Sequence, residues 1–371
     1  IFSNMRRLLV STFVISLSIG ILAIVLPLYM AIDLGASYTE IGMVGLAYVV
    51  FNAALSVPVG KMGDKNGRKL SIVLGFFVTA CIIFLYPMSG SVLFILVLRL
   101  AQGAAEAPVW VNTQSAAADS SSAETRGAAM GSYATFWASG IGIGPIVGGL
   151  LYSSVGVRWA FLISGFIALA ATAIVATASF PKPVRIKRKV NLKSILPAFM
   201  PTVIYVGFVA LLFTLLPVYA TKSLGMQEFL VSTLITIYTV VRAPLFSPFG
   251  KISDRVGHRP IILLGMLVGS AALAGISLAT GYFAIAAFVV FLSISEALVY
   301  PAVVCMISKS GEGSPGLMMG IFNAVAMVGW GVFSGIGGPV ADAFGPASTF
   351  LIFSFVGLVS IPIMWKILPR K

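Results

Sequence analysis

Long apolar stretches alternate with short polar ones along the whole chain. Twelve can be drawn, at about 6–31, 39–61, 69–88, 91–118, 125–152, 158–180, 195–221, 228–250, 259–280, 282–309, 315–343 and 347–368. Each holds about twenty residues or more, the length at which an α-helix crosses the hydrocarbon core of a bilayer. The first stretch carries Ser11, Thr12, Ser16 and Ser18, and no small-residue cleavage site followed by a soluble domain, so it reads as a working helix and not a removed signal peptide. One markedly polar segment interrupts the pattern, Pro181 to Lys193, with Pro181, Pro183 and six basic residues. It divides the chain into a first six-helix bundle (1–180), a cytoplasmic linker (181–194) and a second six-helix bundle (195–371). Ser121 with Glu124 reads as a capping box opening the fifth span, and Ser314-Pro315 as the start of the eleventh.

A shift of 190 residues superposes the two halves. Leu26-Pro27-Leu28-Tyr29 falls on Leu216-Pro217-Val218-Tyr219, Leu34-Gly35 on Leu224-Gly225, Tyr48 on Tyr238, and Pro58 and Gly60 on Pro248 and Gly250. Asp64 falls on Asp254, Gly67 on Gly257, and Glu106-Ala107 on Glu296-Ala297. Beyond them the shift becomes 189, and Gly131, Gly140, Gly148 and Gly149 land on Gly320, Gly329, Gly337 and Gly338. Six is an even number of spans, so both copies enter the membrane in the same sense, related by a pseudo-twofold axis along its normal, with a central cavity between them. The expected fold is an all-α membrane protein of twelve transmembrane helices in two six-helix bundles.

Composition agrees: 59% of the 371 residues are hydrophobic and 9% charged, where soluble domains carry about a quarter charged. A water-soluble fold is excluded. The net charge of +13 raises nucleic acid as a partner, but position decides otherwise. With Arg6 and Arg7 on the cytoplasmic side and spans alternating, all of the 24 basic residues except Arg99, Arg158, Lys222 and Arg242 fall in cytoplasmic segments or at their edges. That is the positive-inside bias, and it points to anionic lipid headgroups, with both termini cytoplasmic in a plasma (inner) membrane. Cys81 and Cys305 lie in apolar helices and read as small core residues, with no disulfide framework and no metal site.

The segment after the second span reads Gly60-Lys61-Met62-Gly63-Asp64-Lys65-Asn66-Gly67-Arg68-Lys69, and its counterpart Gly250-Lys251-Ile252-Ser253-Asp254-Arg255-Val256-Gly257-His258-Arg259. This resembles the signature loop of the major facilitator superfamily, present twice. Arg99-Leu100-Ala101-Gln102-Gly103 is similar to the family's second motif. Gly140-Ile141-Gly142-Ile143-Gly144-Pro145-Ile146-Val147-Gly148-Gly149 matches the G-x-x-x-G-P-x-x-G-G pattern of its drug:proton antiporters.

The signature-loop glycines Gly60, Gly67, Gly250 and Gly257 permit a tight turn and close helix approach, and an acid such as Asp64 or Asp254 suits the positive N-terminal end of a helix. The resemblance implies that Asp64 docks near the start of the eleventh span in the outward-facing state, helped by Arg68 and Asp119. His258 departs from the pattern and reads as a loop residue. Gly140, Gly144 and Gly148 line one helical face with Gly149 beside it, and Pro145 removes a backbone hydrogen bond and allows a kink. The resemblance implies that this face meets the eleventh span and helps seal the cavity.

Arg99, Glu106, Arg242 and Glu296 lie well inside spans, where lipid exposure would cost about 2.5–3.5 kcal/mol each, so they face the cavity or one another. Arg99 precedes Glu106 by two helical turns with Gln102 between them as a possible bridge, and Val289 replaces that arginine in the second half. Tyr48 with Asn52 and Tyr238 with Arg242 form comparable polar faces. Desolvation favours a neutral carboxyl and a nearby guanidinium an ionised one, a balance suited to carrying a proton. An Arg99 to Glu106 pair that only holds helices together is the competing reading. Glu296 has no cation within two turns on its own helix, so it is expected to be protonated at rest and to be the proton site. Asn112, Gln114, Trp137, Asn323 and Trp330 are further polar and aromatic residues on helices facing the cavity, ranked below these.

The expected activity is secondary active transport by alternating access, as a proton-coupled antiporter exporting small amphipathic compounds. The expected partners are a small-molecule substrate, protons and membrane lipids, in a monomer without cofactor. The alternative is an organic-anion transporter in which Arg99 and Arg242 hold the substrate's charge. An enzyme is disfavoured: the loops are too short for a catalytic domain, and no Ser-His-Asp set or phosphate-binding glycine loop is present.

Overall fold

The computed structural model describes residues 2–121, 126–180, 192–309 and 315–369. Twelve helices within them are long and apolar enough to cross a membrane. They are α1 (Phe2–Leu28), α2 (Tyr38–Asn66), α3 (Lys69–Leu85), α4 (Val92–Asp119), α5 (Arg126–Val155), α6 (Val157–Ala176), α7 (Leu192–Thr214), α8 (Glu228–Val256), α9 (His258–Leu278), α10 (Tyr282–Lys309), α11 (Pro315–Phe344) and α12 (Pro346–Ile367). The expected capping residues Ser121 with Glu124 and Ser314 with Pro315 involve residues 122–125 and 310–314, and most of the expected linker is 181–191, all outside the described residues. A capping box does open α2: the Ser37 hydroxyl accepts from the Glu40 amide and the Glu40 carboxylate accepts from the Ser37 amide. Such a cap contributes about 1 kcal/mol.

The repeat is written into the backbone. Among the described residues six glycines hold a positive φ and form three repeat pairs: Gly35 and Gly225 at 64°, Gly67 at 89° with Gly257 at 100°, and Gly156 and Gly345 at 87°. A Cβ would strain each of these turns. Both signature segments prove mostly helical, because α2 runs to Asn66 and α8 to Val256. The loop shrinks to Gly67-Arg68 and Gly257, and Gly60 and Gly250 lie inside helices. Two π turns, Tyr29–Asp33 and Tyr219–Ser223, extend α1 and follow α7 at equivalent places, just after Pro27 and Pro217. Proline withholds a backbone N–H, which favours such a widened turn.

Equivalent helices pair in each bundle. α1 lies on α5 and α6, α2 on α4, and α3 on α4 and α6; α7 lies on α11 and α12, α8 on α10, and α9 on α10 and α12. Two large contacts join the bundles, α2 with α11 and α5 with α8, and they are also repeat partners. The apolar window of α7 is 94% buried, so this helix lies inside the molecule and not against lipid. One face of the molecule gathers the start of α1 and the end of α6, where Arg7 Nη1 donates to the Thr177 carbonyl at 2.8 Å and the Ser179 amide to Asn4 Oδ1 at 3.1 Å. This is the terminal face; the opposite one is the distal face.

The glycine face of α5 does not meet the eleventh span, contrary to expectation. An added Cβ would lie 2.5 Å from the Phe13 carbonyl oxygen at Gly140, 2.5 Å from Gly20 Cα at Gly144 and 2.7 Å from Ile24 Cγ2 at Gly148, all on α1. Gly142 and Gly149 turn to α8 instead, against Thr239 and Ser232. The helix has two small-residue faces, and the spacing of four selects the one buried within its own bundle. Gly144→Leu therefore drives a side chain into the Gly20 backbone, and the expected result is loss of about 3 kcal/mol or more, beyond ordinary overpacking because the backbone cannot yield. Gly90, where an added Cβ meets nothing within 4 Å, tolerates Ala. Melting temperatures of the two variants in detergent check this, and equal values would remove the packing role.

Candidate functional site

α2 and α4 place Tyr48, Asn52, Arg99, Gln102 and Glu106 together, as their repeat partners α8 and α10 place Tyr238, Arg242 and Glu296. In both bundles the tyrosine hydroxyl donates to the carboxylate 58 residues later: Tyr48 to Glu106 Oε2 at 2.8 Å, and Tyr238 to Glu296 Oε2. In both, a guanidinium stacks 4.8 Å from the centre of that tyrosine ring, Arg99 over Tyr48 and Arg242 over Tyr238. The two arginines occupy non-equivalent sequence positions, yet reach equivalent places.

Charge pairing then breaks the symmetry, and in the direction opposite to expectation. Arg242 Nη1 meets Glu296 Oε2 at 2.5 Å, both residues buried, so the carboxylate expected to stand without a cation has one. The cation comes from α8, which an argument confined to α10 does not see. Glu106, 1% exposed, has no ion pair among the described residues. It accepts instead from three neutral donors: Gln102 Nε2 at 2.7 Å, Tyr48, and Trp110 Nε1 at 3.2 Å. Gln102 does bridge as expected, because its Oε1 accepts from Arg99 Nη1 at 3.1 Å and from the Tyr86 hydroxyl at 2.6 Å, which leaves its amide nitrogen for Glu106. Asn52 Nδ2 donates to the Tyr48 hydroxyl at 3.2 Å. Tyr86 and Trp110 were not singled out from sequence; Trp110 stands one turn after Glu106, a spacing that identifies it.

Two lower-ranked residues join the bundles. Asn323 Nδ2, on α11, donates to Asn52 Oδ1 at 3.1 Å and Ser56 Oγ at 2.8 Å, and Arg242 lies 5.8 Å from the centre of the Trp137 ring on α5. Asn112 points elsewhere, toward the signature segment. There Arg68, 4% exposed, holds Asp64 at 2.7 Å, Asp119 at 2.6 Å and Asn112 Oδ1 at 3.4 Å. The expected docking of Asp64 near the start of the eleventh span borders residues 310–314, outside the described residues, and what the structure describes at Asp64 is its pairing with Arg68.

In the second bundle the corresponding corner brings Asp254, His258 and Cys305 together, with ligating atoms all within 4.8 Å of one another. The reading of His258 as a lone loop residue and of the cysteines as small core residues is corrected: Cys305 is half-buried beside Asp254, and Cys81 is exposed.

At the distal face an acid does sit at a helix N-terminus of the other bundle, but it is Asp342 of α11. Its carboxylate accepts from the amides of Tyr38 at 3.1 Å and Thr39 at 2.7 Å, the first residues of α2. An anion there is favoured by the free amides and the helix dipole. Lys222 Nζ reaches the Ala36 carbonyl at 3.3 Å alongside. Gly338 completes this seam, since a Cβ on it would lie 2.9 Å from Thr39 Cα.

The profile of the Major Facilitator Superfamily matches residues 8–209 and 198–371. Over its length the chain is similar to an uncharacterised MFS-type transporter of Methanocaldococcus jannaschii, 26% identical over 96% of this chain and 97% of that protein. It is similar also to multidrug resistance protein 2 of Bacillus subtilis, 23% identical over 97% and 94%. Its fold is similar to the crystal structures of a mutant of the nucleoside transporter NupG (TM-score 0.82, 13% identity, 99% of this chain and 100% of that one) and of a human organic anion transporter (TM-score 0.73, 15% identity, 98% and 99%).

Proposed function

The chain belongs to the major facilitator superfamily and is an integral membrane transporter of small molecules; we propose that it is a proton-coupled antiporter that exports small amphipathic compounds by alternating access. One observation carries the reading: Glu106 is buried near the middle of α4, accepts three hydrogen bonds from neutral donors and has no ion-pair partner among the described residues. A carboxylate in a direct salt bridge must break that bridge to take up a proton. Glu106 has no such bridge to break: the Tyr48 hydroxyl turns from donor to acceptor, and the Trp110 N–H that shares Oε2 gives way to the proton. Glu106 is therefore the proton site, and Arg242 with Glu296 is a neutral pair lining the same central region. The multidrug resistance relative supports export of drug-like compounds. On this reading the terminal face is cytoplasmic, as the basic residues demand, in the plasma membrane, and the protein acts as a monomer without a catalytic role.

A second reading, transport of an organic anion, draws on Arg99 and Arg242, each of which keeps an Nε without a hydrogen-bond partner. Substrate charge discriminates the two. The test is reconstitution in liposomes with an internal pH dye and a screen of cations, anions and neutral amphiphiles. A pH change on adding lipophilic cations supports antiport through Glu106; a response confined to anions favours the second reading; transport with no proton movement removes both forms of coupling.

Alternating access requires the distal seam to open. Asp342→Ala removes two charge-assisted hydrogen bonds, on the order of 1–2 kcal/mol at an exposed helix end, so the population open at the distal face is expected to rise several-fold. Distances between spin labels on α2 and α11 at that face measure this. An unchanged distance distribution would exclude Asp342 as a latch.

A further inference from the structure

A row of hydrogen bonds runs from Glu106 to the contact between the bundles. The Tyr48 hydroxyl donates to Glu106 Oε2 at 2.8 Å and accepts from Asn52 Nδ2 at 3.2 Å. Asn52 Oδ1 in turn accepts from Asn323 Nδ2 at 3.1 Å, which carries the row from α2 to α11. With Glu106 taken as the proton site, as above, we propose that Asn52 and Asn323 are positioning residues that report its protonation to the α2–α11 contact. Ionised Glu106 keeps the two helices linked on the terminal side of the distal seam, and protonated Glu106 releases them. Ser56 fixes the polarity of the row. Its hydroxyl donates to the Asn52 carbonyl at 2.6 Å, so it has only lone pairs to offer Asn323 Nδ2 at 2.8 Å. Asn323 therefore keeps its NH2 toward α2, Asn52 answers with its oxygen, and the Asn52 NH2 is left for Tyr48.

A proton from solvent forms an O–H bond at Glu106 Oε2, and that O–H donates to the Tyr48 oxygen. The Tyr48 hydrogen then turns about its C–O bond and needs a new acceptor. Among the described residues the other partners of this hydroxyl, Asn52 Nδ2 and Trp110 Nε1 at 3.4 Å, are donors. Only the amide can exchange its ends. Turned over, Asn52 accepts from Tyr48 through Oδ1 and sets its NH2 against the NH2 of Asn323, donor against donor, so the bond between the bundles is lost. Asn52 is buried, and the mismatch falls on the contact between α2 and α11. The direction suits exchange: a proton taken up from the distal side frees the terminal side, where it leaves and a compound for export enters. Of the titratable groups around Glu106, Arg99 and Tyr86 reach it only through Gln102, and Tyr133 of α5 is bonded to Thr113. The other helices packed on α4, namely α1, α3 and α11, carry their charged side chains near their ends.

The repeat confines the row to one contact. Arg242, at the position of Asn52, is committed to Glu296, and Ala134, at the position of Asn323, has no polar side chain. A Cβ on Gly320 would lie 3.4 Å from the Ser56 carbonyl oxygen, whereas one on its repeat partner Gly131 meets nothing within 4 Å. At this depth α2 and α11 are thus held closely together.

The experiment uses the full-length protein in liposomes, with Cys81→Ser and Cys305→Ser and one spin label at the terminal end of each of α2 and α11. Between about pH 8 and about pH 5, the range in which a buried carboxyl titrates, the population with separated labels is expected to rise. The rise is about fivefold, the change that one net hydrogen bond gives. Glu106→Gln holds the larger population at both pH values, because its NH2 donates to Tyr48 as the protonated acid does. Tyr48→Phe leaves Glu106 able to titrate but has no hydroxyl to pass the change on, so the smaller population persists at both. Asn323→Leu removes the link outright and gives the larger population with no pH response. In liposomes it also moves fewer protons per substrate, by about fivefold or more on the same reasoning, while counterflow continues. A side chain that only packs the two helices would shift the level and leave the pH response. Label distances in the parent that ignore pH overturn the proposal without recourse to any variant at the row. So does an Asn323→Leu protein that keeps the parent's pH response and coupling. If Glu106→Gln uncouples transport in either case, the proton site stands and the relay alone falls; if Glu106→Gln stays coupled, both fall.

Discussion

Glu106→Gln is expected to reduce uphill transport under a proton gradient to the background of empty liposomes, while substrate-for-substrate exchange persists and becomes insensitive to pH. The substitution reproduces the neutral carboxyl. Gln102 is held by Tyr86 and Arg99 and still offers its amide nitrogen, so the introduced side chain must turn its oxygen to Gln102 and its NH2 to the Tyr48 hydroxyl, and the Trp110 N–H that shares Oε2 with Tyr48 loses that acceptor. Tyr48 then accepts where it had donated, the rearrangement that protonation of Glu106 itself requires. No ion pair is broken, because Arg99 reaches Glu106 only through Gln102. The cost in stability should accordingly be about 1–3 kcal/mol, that of a buried N–H losing its acceptor, and below that of breaking a buried ion pair. Counterflow and pH-driven uptake in the same liposomes separate coupling from movement. A variant that still concentrates substrate when only a proton gradient is supplied assigns the proton elsewhere.

The twelve spans, the repeat and the two charged positions at each bundle centre, Arg99 with Glu106 and Arg242 with Glu296, were legible in the sequence, because membrane length and repeat register are properties of single segments. What could not be read from one helix at a time were the partners. Arg242 is 54 residues from Glu296 and on another helix, so a search within two turns of Glu296 finds nothing. The repeat held the information, since Tyr48 to Glu106 and Tyr238 to Glu296 have the same separation, and superposing the halves puts Asn52 and Arg242 beside equivalent carboxylates. The glycines of α5 were legible as a close-packing face, but a spacing of four cannot say which neighbour fills it; α1 does. Asp254, His258 and Cys305 come from three helix ends, and no spacing along one element announces such a set. Asp342 shows the same limit, because its acceptors' donors begin a helix some three hundred residues earlier.

Glu296→Gln is expected to destabilise the protein by about 3–5 kcal/mol, the range observed when one member of a buried ion pair is removed. Arg242 is 3% exposed and stacks between Tyr238 and Trp137, rings that attract a cation but cannot neutralise it. With the carboxylate gone the guanidinium stays charged in a low-dielectric setting, since arginine does not give up its proton in proteins. Its Nε is already without a hydrogen-bond partner, and the introduced amide oxygen can accept from Nη1 but cannot neutralise the charge. The Tyr238 hydroxyl and Arg242 Nη1, which both donate to Oε2, must then share one neutral amide oxygen. Removing both charges together, as Arg242→Met with Glu296→Leu, eliminates the unpaired ion and should recover most of the loss, as replacement of buried pairs by apolar residues often does. Thermal melts of the two single variants and the double variant measure the coupling between the positions. A double variant no more stable than Glu296→Gln alone would mean that the pair does not hold the second bundle together. If Glu296→Gln instead proves as stable as the parent and loses only proton coupling, the roles of Glu106 and Glu296 are exchanged: the proton then travels on the carboxylate that Arg242 holds, and Arg242 must swing away from it in every cycle.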